Sequence, residues 1–77
     1  MPKLPIISGV ELIKALSKIG FAQVRQKGSH VTVKKHAEGK LLIATIPLHP
    51  ALDTGTLLGI LRKLQISRED FLKLLAK

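Results

Sequence analysis

Between Phe21 and Ile46 lie three short β-type runs whose links are too short to hold a crossover. Phe21–Lys27 turns through Lys27-Gly28-Ser29 into His30–Lys35, which turns through His36-Ala37-Glu38-Gly39-Lys40 into Leu41–Ile46. Parallel neighbours need a crossover of roughly a dozen residues or more, so these runs imply an antiparallel meander. Gly28 allows a tight turn, and Gly39 is available for a positive φ. In the second run Val31 and Val33 share one face, expected to be buried. His30, Thr32 and Lys34 share the other, expected to be wet. In the first run Ala22 and Val24 alternate with Gln23 and Arg25. The third is nearly all apolar and reads as a well-covered strand.

Helical signals flank the meander. Met1–Ile7 is an extended lead-in, with Pro2 and Pro5 turning their preceding residues away from helix. Ser8 and Glu11 have capping-box spacing, and Val10, Ile13, Leu16 and Ile19 follow at helical spacing with Leu12 widening the stripe. Gly20 is a C′ stop, so a helix is predicted over roughly 9–19. Asp53 or Thr54 caps a second helix with a core face of Leu57, Leu58, Leu61 and Leu64. Ser67 and Asp70 form another capping box ahead of Phe71, Leu74 and Leu75. The predicted class is α+β, in the order α-β-β-β-α-α, with helices on one face of the sheet and the other open to solvent. One domain spanning 1–77 is expected; a chain this short buries only about 60% of its unfolded surface.

Charge narrows the partners. Thirteen Lys and Arg against five Asp and Glu give a net +8. That imbalance suits a polyanion, nucleic acid first and a membrane surface second, with simple solubility through excess lysine as the lesser alternative. No run reaches 18 apolar residues, and the start lacks the roughly 7–15-residue apolar stretch of a secretory signal, so the expectation is a cytoplasmic protein without a membrane span. There are no cysteines. A disulfide or a cysteine-based zinc site is excluded.

Chemistry is left to histidine. Glu11, Glu38, Asp53, Glu69 and Asp70 are scattered, His30, His36 and His49 have no metal-binding spacing, and phosphate-cradling glycine loops are absent, so neither metal nor cofactor is expected. A Ser29-His30-Asp53 triad is disfavoured because adjacent strand residues point apart. Histidine exchanges protons near neutral pH. RNA carries its own nucleophile, the 2′-OH, so cleavage needs positioning, proton transfer and positive charge near the phosphate. Arg25, Lys27, Lys34 and Lys35 supply the charge around Gly28-Ser29-His30. His30 reads equally as an ordinary polar strand residue, His36 as a turn residue and His49, between prolines, as structural. Base stacking is minor, since the wet face has no aromatics.

Three blocks carry a resemblance: SGVELIKALSKIGF at 8–21, RQKGSH at 25–30 and IPLHPALDTGTLLGILRKLQISREDFLKLL at 46–75. The chain resembles the HicA (YcfA-like) toxins of bacterial toxin–antitoxin modules. The resemblance implies a double-stranded-RNA-binding-domain-like fold, mRNA-cleaving endoribonuclease activity, a catalytic histidine mapping onto His30, and a HicB-type antitoxin that covers the active site. On that basis Arg25, Lys27, Gly28, Ser29, Lys34 and Lys35 are the expected RNA-binding residues, with His36 and His49 secondary. One departure concerns substrate. Duplex-binding domains carry lysines at the start of the second helix, where this chain has Asp53-Thr54-Gly55-Thr56, which favours single-stranded or loop RNA. A noncatalytic RNA-binding module of the same fold is the alternative, and a domain binding an acidic protein a more distant one.

Overall fold

The computed structural model describes residues 4–76, so Met1–Lys3 of the expected lead-in lie outside the described residues. The elements run α1 (Gly9–Ser17), β1 (Ala22–Lys27), β2 (His30–Ala37), β3 (Lys40–Pro47), α2 (Thr54–Lys63) and α3 (Arg68–Leu75). The strands form an antiparallel sheet in the order β1-β2-β3. The α+β meander expected from the short links is therefore present, and it is compatible with a double-stranded-RNA-binding-domain-like arrangement.

Local chemistry sets each boundary. Ser8 Oγ accepts from the Glu11 amide while the Glu11 carboxylate accepts from the Ser8 amide, completing the capping box. At the other end the Phe21 amide donates to Leu16 O and the Gly20 amide to Ser17 O, with Gly20 at φ +96°. This Schellman closure, with Gly20 at C′ as expected, ends α1, whose regular part runs to Ser17. The same closure ends α2, where Ile66 N–H donates to Leu61 O and Gln65 takes φ +58°. The Asp53 carboxylate accepts from the Thr56 amide at 2.7 Å, which fixes the N-cap of α2 at Asp53 rather than Thr54.

Two hairpins give the sheet its register. Gly28-Ser29 turns between paired Lys27 and His30 with a positive φ only at Gly28, as a type II′ turn requires. Glu38-Gly39, both at positive φ, turn between paired Ala37 and Lys40. β2 therefore runs to Ala37, beyond the predicted Lys35, and His36 is a strand residue.

Val31, Val33, Ala44 and Ile46 form the covered sheet face and pack in one cluster with Leu12, Leu16, Phe21, Leu57, Leu61, Leu64 and Phe71. Two expectations change here. Val10 is 51% exposed, because Gly9 takes the place against the end of the sheet and rotates the helix onto Leu12 and Leu16. β3 is covered on one side only, with Leu41 52% and Ile43 42% exposed. Among the described residues the helices are on the other face, and none forms a second layer over the open one.

The caps make stability depend on acid. The Ser8 backbone and hydroxyl hold Glu11 below its ordinary value, and the Thr56 backbone and hydroxyl do the same for Asp53. A carboxylate lowered by folding stabilises the fold above its unfolded pKa and loses that contribution as pH falls through the lowered native value. The stability gap between wild type and Asp53→Ala, measured by urea melts, should accordingly be full at pH 6 and shrink as pH drops below about 4. A gap constant down to pH 2 would show that the cap does not act through charge.

Candidate active site

β2 is the central strand, so the backbone of His30 is fixed on both sides. Lys27 pairs with it on β1 and Pro47 on β3, and the Leu48 amide donates to Ser29 O at 2.7 Å just beyond the ladder. The imidazole itself is exposed.

The pairing arranges the open face as rows across the sheet. Lys27, His30 and Pro47 form the first, Arg25, Thr32 and Thr45 the second, and Ala22, Lys34 and Ile43 the third, with His36 and Leu41 beyond. Neighbours within a row are one strand spacing apart, about 5 Å, and successive rows about 7 Å. Lys27 and His30 of the first row, the whole second row and the Gly28-Ser29 turn line a shallow open depression of about 640 Å³. No carboxylate lines it, so an anion entering there meets only cations, hydroxyls and imidazole.

A β-bulge makes this grouping possible. Unbroken alternation from Ala22, which faces Lys34, would aim Arg25 and Lys27 at the helices. The register shifts between Gln23 and Arg25, with Val24 as the extra residue, so Arg25 comes opposite Thr32 and Lys27 opposite His30. Gln23, opposite Val33, consequently sits on the helix side of the sheet and Ala22, opposite Lys34, on the open one. Val24, the extra residue, is 48% exposed.

A family model described as HicA toxin of bacterial toxin-antitoxin matches residues 9–66 of the 77-residue chain. The chain belongs to the HicA toxin family. No curated protein and no solved structure matches it. The matched span takes in α1, the whole sheet and α2, and so includes every row of the open face. Membership ties the chain to toxin–antitoxin modules and implies an antitoxin partner.

The remaining candidates of this HicA-family chain separate by position. Lys34 is on the open face one row beyond Thr32, beside the depression rather than lining it. Lys35 has the parity of Val31 and Val33. Its ammonium stands 5.6 Å from the centroid of Phe21 on the covered side, so the structure does not group it with His30. That cation–π contact and the packing of its stem beside Gly20 give Lys35 a structural task. His36 shares the open face but lies six residues along the strand from His30, about 20 Å, too far to act on the same phosphate. His49 follows β3, its carbonyl accepts from the Gly9 amide at 3.0 Å, and its charge helps lower the Asp53 carboxyl. Among the described residues no three His, Cys, Asp or Glu side chains come together as a metal-binding group, and no helix is long and apolar enough to cross a membrane.

Thr45 was not legible as a site residue because β3 reads as covered on both sides. The available signal was the Glu38-Gly39 pair: a two-residue turn there fixes the register that sets Thr45 opposite Thr32.

Proposed function

We propose that this HicA-family chain is a metal-independent endoribonuclease that cleaves single-stranded or loop segments of mRNA in the cytoplasm, folded as one domain over 1–77. Arg25 and Lys27 attract and orient a phosphodiester in the depression, and Lys34 extends the positive field along the strand. The RNA 2′-OH attacks the adjacent phosphorus, its proton passes to a base, the bond to the 5′ oxygen breaks, and that oxygen takes up a proton. The products are a 2′,3′-cyclic phosphate and a free 5′-OH, with no water consumed. His30 carries one of the two proton transfers. Gly28 and Ser29 form the turn that presents it.

The observation that carries this reading is the bulge in β1, which turns two cations onto the face of an exposed histidine in a chain of the HicA family. Incubating the protein with labelled mRNA in EDTA tests it. Discrete fragments ending in cyclic phosphate are expected. RNA that is bound but uncut would replace the enzyme with a noncatalytic RNA-binding module.

Salt dependence tests the charge assignment. Each phosphate contact on a single strand contributes about −0.7 to the slope of log K against log[salt], so contacts from Arg25, Lys27 and Lys34 give a slope near −2. Lys27→Glu should flatten it, whereas Lys35→Ala should leave it within error, since that side chain is on the covered side. Binding that ignores salt would remove the open face as the RNA surface.

A further inference from the structure

We propose that the Thr32–Thr45 hydroxyl pair is a phosphate-oxygen site, the positioning device that seats single-stranded RNA beside His30. The two hydroxyls face each other across β2 and β3 at 3.3 Å, and both line the depression. A hydroxyl bond of that length is long, the usual distance being about 2.7–2.8 Å, so the pair is weakly tied and free to reorient. Only one of the two O–H groups is used in the contact. The other remains a donor, and a phosphate oxygen is purely an acceptor. The row completes the argument: Arg25 lies directly opposite Thr32 on the other side, so a phosphate above Thr32 has a guanidinium on one flank and a hydroxyl on the other. The neighbouring row holds Lys27 and His30, about 7 Å away along the strand. A phosphate seated on the threonines therefore fixes the register of the chain relative to the imidazole.

The inference takes its ligand from the ribonuclease reading, and its test separates the two. Affinity is measured with 2′-fluoro RNA, which has no 2′-OH and is not cleaved. Thr32→Val with Thr45→Val should weaken binding roughly tenfold, the order expected for losing a hydrogen bond to a charged group. Thr32→Ser with Thr45→Ser keeps both hydroxyls and should bind within about twofold of wild type. On cleavable RNA the valine pair should lower kcat/KM by a similar factor while leaving the ionic-strength slope unchanged, because the cations are untouched. Should the double variant fail to fold, Thr45→Val alone, exposed on the edge strand, gives the same reading at smaller size. Wild-type affinity in a folded valine variant would reduce the pair to a cross-strand clip, and a loss in the serine variant as large as that in the valine variant would show that retaining the hydroxyls is not enough and overturn the hydroxyl assignment. If wild-type protein leaves RNA uncut but 2′-fluoro RNA still needs the hydroxyls, the catalytic reading fails and the phosphate site stands.

Discussion

Replacing His30 with alanine should lower RNA cleavage by about two to four orders of magnitude, the range over which a positioned proton-transfer group contributes. The same change should leave the fold almost unmoved. His30 is exposed, and its backbone is held by pairing to Lys27 and Pro47 rather than by its side chain, so the melt should shift by no more than about 0.5 kcal/mol of stability. Binding should also survive, because Arg25, Lys27 and Lys34 stay on the face. The combination is diagnostic: activity lost, fold kept, salt-dependent RNA affinity kept. A fully active His30→Ala protein would take His30 out of the mechanism. A collapsed melt would make it a structural residue and return the proton transfers to another group on the sheet.

What could be read in the sequence and what could not divide along a physical line. Signals that act within a few residues were legible. Ser8 with Glu11, Asp53, Gly20, Gly28 and Gly39 each satisfy or permit a local backbone state, and the structure uses each as expected. The face of Val31 and Val33 was legible too, since β2 alternates without interruption. Three features escaped because they depend on what a residue is paired with. The bulge at Val24 exists only in relation to β2, and period-two reading of β1 alone gives Gln23 and Ala22 the wrong faces. The one-sided burial of β3 depends on how many layers cover the sheet, which Leu41-Leu42-Ile43 cannot report. Lys35 was grouped with the site by its nearness in sequence, although its parity sets it over Phe21. The depression was thus legible at its histidine and its turn, while the bulge that assembles it and Thr45 on its far side came from pairing.

Gly9→Ala should destabilise the fold by about 1–3 kcal/mol, although alanine is the better helix former. Gly9 is the first residue of α1 and is buried, and its amide donates to His49 O at 3.0 Å. A Cβ there would fall 2.1 Å from Pro47 O and 3.0 Å from the Cα of Leu48. Both are backbone atoms, so no side chain can swing aside to relieve the clash. Either α1 lifts from the end of β3 or β3 moves. Pro47 is the cross-strand partner of His30, so the second response reaches the candidate active site, and cleavage should fall beyond what the unfolded fraction explains. Gly59 supplies the control. It is exposed within α2, and nothing lies within 4 Å of where its Cβ would go. Gly59→Ala should therefore show the propensity effect alone, a gain of about 0.5–1 kcal/mol with cleavage unchanged. Urea melts of the two variants under one set of conditions decide the matter. Opposite signs are the expected result; a stabilising Gly9→Ala would mean that the close approach of α1 to Pro47 and Leu48 is not what holds that end of the sheet.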